Sequence, residues 1–333
     1  LSAELTTVGS TFVVVHDGTT VWGVHDLEPD RTYELHGMTA HTLSLPSGQL
    51  RCRIGTVNDV HFGEDDCGRV SGHEGGPVLR SGPDEPPHPQ IMNDAAAAEM
   101  RAADLDAIVV KGDLTSDGTA DEFASFEACY RQSFGDRLHV VRGNHDAYRG
   151  QHEYAGDQWL RFAGVTIALL DTVKPGASNG RLDTTQIDWL DAHLREATQP
   201  VLVMGHHQQW IGGLRSDDYF GLAPDSSDAL NDLAARHTAF VAYTAGHTHR
   251  HRRRHMACGV PSIEVGCVKD FPGTWAEYQV FDGGILQIVH RVSSPAALRW
   301  SERCRALYSD FGVDYVEYAL GRLDDRCFVI PLR

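Results

Sequence analysis

Residues 107–118 read Ala-Ile-Val-Val-Lys-Gly-Asp-Leu-Thr-Ser-Asp-Gly, and this stretch decides the fold. Residues 107–110 form a short apolar run of the kind buried in a parallel sheet. Gly112 stops the run, and Asp113 stands where the chain leaves the strand. The pattern recurs four times. Strand-type runs at 52–57, 138–141, 201–204 and 240–244 lead to four further motifs. These are Asp59-Val60-His61, Gly143-Asn144-His145-Asp146, Gly205-His206-His207 and Gly246-His247-Thr248-His249. Helix-type segments separate them at 91–103, 119–132, 183–197 and 225–236, and this alternation predicts an α/β protein. In open α/β sheets ligands gather outside the carboxyl ends of strands. Five strand ends carrying His, Asp or Asn therefore predict one site.

The residue types point to metal chemistry. Imidazole and carboxylate suit Mn, Fe, Zn or Co, and no thiolate occurs in any of the five runs. A carboxylate such as Asp113 can bridge two ions through its two oxygens, and an Asn amide oxygen adds a neutral ligand. Two such ions can clamp the attacking and leaving oxygens of an in-line displacement at phosphorus. A lone Gly-Asp is more often a turn. The information lies in the ordered set, each member following a strand.

The ordered set D-x-H, G-D, G-N-H-D, G-H and G-H-x-H resembles that of the calcineurin-like metallophosphoesterases, over residues 52 to 290. The runs Lys111–Gly118 and Arg142–Asp146 are most similar to the bacterial cyclic-nucleotide phosphodiesterase branch. The resemblance implies a two-sheet αββα sandwich with two divalent transition-metal ions at the strand carboxyl ends. It implies that Asp59, His61 and His249 hold one ion, that Asn144, His206 and His247 hold the other, and that Asp113 bridges. His145 would stand beside the phosphate as the catalytic group. Asp146, apart from the resemblance, is placed to orient His145 or to accept hydrogen bonds within the turn, two roles that are compatible. His207, Arg250, His251, Cys67 and His73 are candidate substrate contacts. The implied reaction is hydrolysis of small phosphodiesters, 3′,5′-cyclic nucleotides among them, by a metal-held hydroxide. A phosphomonoesterase acting on a small metabolite or nucleotide is the alternative. A nuclease and a non-catalytic scaffold are the readings from other classes.

Outward from the motifs, residues 1–50 form a small β accessory unit, with strand-type runs at 11–15, 21–24, 32–35 and 42–45 between turn residues. Residues 51–333 form the catalytic domain. Residues 63–90, rich in Gly, Pro and acid, leave the first motif as a long loop and are expected to wall or cover the site. Runs at 261–265, 275–281 and 285–292 are expected in the second sheet. Residues 307–333 are too aromatic for a free tail and are expected to dock.

The 333 residues suffice for one large domain and an accessory segment. A formal net charge of −17 speaks against broad nucleic-acid or anionic-membrane binding. It is compatible with a small phosphate ester, because bound cations set the local field. The seven cysteines include no C-x-x-C pair and read as free thiols in a reducing compartment. No apolar run reaches membrane length. The expectation is a cytoplasmic enzyme, with a preceding targeting segment and a homodimer left open.

Overall fold

Two six-stranded sheets carry the computed structural model, which describes residues 3–35, 37–70 and 72–333. The strands in chain order begin with β1 (Glu4–Val8), β2 (Val13–Asp17), β3 (Thr20–Val24), β4 (Thr32–Leu35) and β5 (Met38–His41). Next come β6 (Leu50–Val57), β7 (Ala107–Lys111), β8 (Leu138–Val141), β9 (Gln158–Phe162), β10 (Val165–Leu170) and β11 (Val201–Gly205). The last are β12 (Phe240–Ala245), β13 (Arg252–His255), β14 (Pro261–Glu264), β15 (Thr274–Phe281), β16 (Gly284–Arg291) and β17 (Phe328–Pro331). One sheet has the order β17-β16-β15-β6-β7-β8 and the other β13-β14-β12-β11-β10-β9. Within them β6, β7 and β8 run parallel, as do β10, β11, β12 and β14.

The layers follow from the two-residue strand period. In β7, Ala107 and Val109 face the other sheet, with Ile54, Ile167, Leu202, Met204 and Tyr278. Ile108 and Val110 face outward, onto Met92 and Met100 of the helix His88–Ala102 and onto Phe126. On the opposite side Leu190, Leu194, Leu230 and Leu233 of the helices Thr184–Glu196 and Pro224–Arg236 cover β10 to β12. The result is the expected αββα sandwich. Asp183 and Gln186 exchange side-chain and backbone hydrogen bonds at the start of Thr184–Glu196, as a capping box does.

The three-stranded sheet β1-β2-β3 packs Val8 and Val13 onto Leu286, Ile288 and Cys327. The tail docks through β17, which extends the sheet beside β16. All seven cysteines are free thiols. Among the described residues no helix is long and apolar enough to cross a membrane.

Three element expectations need correction. Residues 42–45 are not a strand, and β4 pairs with 38–41 instead. The Thr42 hydroxyl bonds Glu28 O at 2.7 Å and Arg31 N at 3.0 Å, so side-chain bonding to the backbone replaces the ladder there. β14, expected in one sheet with β15 and β16, lies parallel to β12 in the other sheet. The Arg run after His249 forms the edge strand β13, paired with β14; charge on an edge opposes sheet-to-sheet association. β9, absent from the sequence expectation, pairs with β10.

Candidate metal centre

Parallel strands place their carboxyl ends on one rim, and both sheets contribute to it. Asp59 follows β6, Asp113 follows β7, Asn144 follows β8, His206 follows β11, and His247 and His249 follow β12. The loops lock to each other through the backbone. Val60 and His61 both donate to Asp113 O at 2.9 Å, and His247 N donates to Asp59 Oδ1 at 3.0 Å. The last bond joins the two sheets.

The side chains converge. Asp113 Oδ2 lies 3.5 Å from His61 Nε2 and 3.3 Å from His206 Nε2, between the two halves of the set. Asn144 Oδ1 lies 3.0 Å from His206 Nε2, and His249 Nε2 lies 3.7 Å from Asp59 Oδ1. The donor atoms of Asp59, His61 and His249 fall within 4.8 Å of one another, as do those of His206, His207 and His247. His206 Nδ1 bonds the Lys111 carbonyl at 2.9 Å, which fixes the tautomer and leaves Nε2 as the free donor.

This convergence requires unusual backbone. Asp59, His61, Asp113, His247 and His249 have φ of 55°, 49°, 49°, 70° and 53°. Left-handed conformations are uncommon for residues other than glycine and cluster at functional sites. Gly143 is required for a different reason. A Cβ there would lie 2.2 Å from the Asp113 backbone nitrogen.

The residues fit metal ions. Both ring nitrogens of His61, and Nε2 of His207 and His247, are buried with no hydrogen-bond partner. Each unsatisfied buried group costs about 1–3 kcal/mol, which coordination would remove. Burial, then neighbouring cations, push His61 and His247 well below the ordinary imidazole range, so they stay neutral with free lone pairs. Burial opposes charge on Asp113 too, but His206 and His145 outweigh it and hold the carboxyl well below its usual range. The set therefore offers carboxylates, imidazoles and one amide oxygen, the chemistry of Mn, Fe, Zn or Co.

His145 lies at the rim, its ring 4.6 Å from that of His61. Its backbone N–H donates to Asp113 Oδ1 at 3.0 Å, and Nδ1 bonds Ser116 O at 2.7 Å, so Nε2 is the free nitrogen. Asp146 does not orient this ring. Its carboxylate accepts from Leu114 N, Gly143 N, and Thr115 N and Oγ1, tying the second and third motif loops together. Behind them Arg142 Nε bonds Asp171 Oδ2 at 2.9 Å in a buried pair.

The candidate substrate contacts are placed less uniformly. Cys67 is fully buried, in the cluster that also holds Cys304 and Leu307. His251 is buried, with Nδ1 accepting from Gly266 N and Nε2 beside Thr274 Oγ1. His207 is fully buried against Thr172 Oγ1, at 2.8 Å, and joins the metal-ligand group rather than the surface. Arg250 is committed to Glu264, at 2.8 Å, and to the Tyr318 ring. His73 is exposed, on the long loop, against Phe311. That loop is anchored at both flanks. Glu64 Oε2 bonds Lys269 Nζ at 2.7 Å and His88 Nε2 at 3.0 Å, and Cys67 and Leu79 pair through their backbones.

Several neighbours of the site carry no motif signal. Tyr148 accepts from Asn144 Nδ2 at 2.7 Å, which turns the amide oxygen toward His206. Phe220 stacks on His247 at 4.1 Å and is 54% exposed. Asp270 lies behind His249, its Oδ2 3.5 Å from Nδ1. An Asp or aromatic residue in a loop gives no periodicity to read, so none of these was visible in the chain.

Residues 52–251 match the family model described as calcineurin-like phosphoesterase. The chain is 29% identical over 164 residues to a probable cyclic nucleotide phosphodiesterase of Synechococcus sp., covering 47% of this chain and 62% of that protein. It is 25% identical over 248 residues to a 3′,5′-cyclic adenosine monophosphate phosphodiesterase of Pseudomonas aeruginosa, covering 71% and 84%. A dimetal phosphatase from Danio rerio superposes with a TM-score of 0.55, over 73% of this chain and 98% of that one, at 16% identity. At that identity the likeness shows the fold alone.

Proposed function

The chain belongs to the calcineurin-like phosphoesterases, and from that premise we propose a binuclear metal-dependent hydrolase of small phosphodiesters, with 3′,5′-cyclic nucleotides the leading substrate class. The observation that carries the binuclear reading is the place of Asp113. Its Oδ2 sits between His61 and His206, one imidazole from each half of the ligand set.

Asp59, His61 and His249 would hold one ion and Asn144, His206 and His247 the other, with Asp113 reaching both. When bound, two such ions supply Lewis acidity at phosphorus and lower the pKa of water toward neutrality. The chain's own residues do the rest. Bonds from His145 N–H to Asp113 Oδ1 and from its ring Nδ1 to Ser116 O hold His145 at the rim with Nε2 free. Protonated, that nitrogen donates to the leaving oxygen or to a phosphoryl oxygen. Asp146 and the Arg142–Asp171 pair keep the third loop from shifting as charge develops.

Support for a diester comes from the curated relatives, whose names specify cyclic nucleotide phosphodiesterases. Two partly exposed rings beside the ligands, Tyr148 and Phe220, offer faces on which a nucleobase can stack. The net charge of −17 disfavours a long polyanion.

The test is a hydrolysis panel on Mn²⁺-loaded full chain. It compares bis(p-nitrophenyl) phosphate, p-nitrophenyl phosphate, 3′,5′- and 2′,3′-cyclic nucleotides and single-stranded DNA. The expected result is metal-dependent cleavage of the diesters, with kcat/KM highest for a cyclic nucleotide. A preference for p-nitrophenyl phosphate would establish a monoesterase instead, and cleavage of DNA above all small esters a nuclease.

A further inference from the structure

The chain beyond residue 251 lies outside the family match, yet it reaches the metal centre. His249 faces two ways. Its Nε2 points toward Asp59 Oδ1, 3.7 Å away among the ligands, and its Nδ1 toward Asp270 Oδ2, 3.5 Å away. Asp270 is fully buried, and its Oδ2 has no hydrogen-bond partner, its charged neighbours being His249 Nδ1 and, at 4.0 Å, Lys269 Nζ. Its second oxygen, Oδ1, accepts from Cys267 Sγ at 3.0 Å and from Tyr315 Oη at 2.8 Å. That carboxylate is thus clamped on one oxygen and open on the side of the imidazole.

Tyr315 begins the helix Tyr315–Leu320, which also grips the loop that carries His249. Tyr318 Oη donates to Thr248 O at 2.9 Å, and His251 N donates to Ala319 O at 3.0 Å. The two bonds fall on either side of His249. A plain packing helix would bury apolar atoms against the loop. This one spends two tyrosine hydroxyls on the backbone carbonyl before the ligand and on the carboxylate behind it.

We propose that Asp270 is a positioning residue for His249, and that Tyr315, acting through Asp270, couples the C-terminal segment to retention of the ion at Asp59, His61 and His249. The inference rests on the binuclear reading given above. A carboxylate behind a ligating imidazole fixes its tautomer and raises its basicity, and removing such a partner typically weakens metal binding about 10–100-fold. Asp270→Asn keeps the shape but presents the imidazole with a poorer acceptor or a competing N–H. Tyr315→Phe keeps the ring and removes one bond to Asp270.

The experiment is calorimetric titration of the metal-free full chain with Mn²⁺, whose weak binding in the divalent series keeps affinities measurable. Wild type should take up two ions. Asp270→Asn should bind one of them about 10–100-fold more weakly and the other unchanged, and Tyr315→Phe should shift the same ion by less. If Asp270→Asn fails to fold, Tyr315→Phe carries the test alone. Both variants binding two ions with wild-type affinity while only their melting temperature falls would overturn the positioning role and leave the binuclear reading intact. Wild type taking up fewer than two ions would overturn both.

Discussion

Asp113 and His145 show how far single residues carry the chemistry. Asp113 Oδ2 is within 3.5 Å of an imidazole from each half of the site, and no other carboxylate is so placed among the described residues. Asp113→Ala should therefore lose both ions from tight binding, read by metal analysis after gel filtration; retention of two ions would remove the bridge from the description. His145 has one nitrogen committed to Ser116 O and a donor atom within 4.8 Å of those of His61 and Asp113, and the proposed role keeps it beside the ions rather than on one. His145→Ala should keep both ions and lose turnover by about 10²–10⁴-fold, the range of a general acid–base group. The loss should shrink for p-nitrophenolate, a leaving group that needs little proton assistance. An equal loss for good and poor leaving groups would assign His145 to stabilising phosphoryl oxygens instead. The ligand types were legible in the chain because each motif is contiguous. The partner of His145 was not, since Ser116 O, a backbone atom 29 positions away, replaces the adjacent Asp146.

At the scale of elements, the site depends on loops that touch backbone to backbone. The third motif passes so close to the second that Gly143 has no room for a Cβ beside Asp113 N, 2.2 Å away. Gly143→Ala should destabilise the fold by about 1–3 kcal/mol, as overpacking does, and displace Asp113. Urea denaturation and metal analysis would check both parts, and a variant with wild-type stability and two ions would show that the loops yield freely. The parallel strands were readable because buried β-branched runs end abruptly at Gly or a ligand. The sheet to which β14 belongs was not readable. Pro261–Glu264 is a buried four-residue strand, Pro-Ser-Ile-Glu, too short to show a preference for either sheet, and only pairing with β12 and β13 decides its place.

Across the whole molecule, two linkages make stability depend on conditions. The N-terminal sheet is tied to the segment after β16 through a buried histidine, His16, bonded to Thr6 Oγ1 at 2.7 Å and Ser293 Oγ at 3.1 Å. Burial, then the nearby Arg291, lower its pKa to about 3, against a small opposing effect of Glu302. The folded pKa is below the unfolded one, so the unfolded chain binds the extra proton. His16 therefore costs nothing above pH 6.5 or so and progressively destabilises the fold as pH falls from there toward 3. At pH 4 the contribution is on the order of 3 kcal/mol. Denaturation at pH 7 and pH 4 should show His16→Gln losing less stability on acidification than wild type; equal losses would mean that His16 is not the acid-sensitive group. The second linkage is metal. Ions that bind only the folded state at about 100 times Kd add ~2.7 kcal/mol per site. Chelation should therefore lower the melting temperature, and an unchanged one would contradict strong coupling between the centre and the fold.

The sequence alone determined the α/β alternation and the five motif positions, because strand periodicity and contiguous motif spacing are local properties of a chain. Tertiary structure decided what stands behind those ligands. Asp270 meets Tyr315 across 45 positions and His249 across 21, Arg142 meets Asp171 across 29, and Glu64 meets Lys269 across 205. It also turned Cys67 and His251, expected as candidate substrate contacts, into the interior. Such partners are chosen by distance in space between residues whose local surroundings look ordinary. A loop aspartate carries no period and no fixed spacing, and its role exists only once the sheets have closed around it.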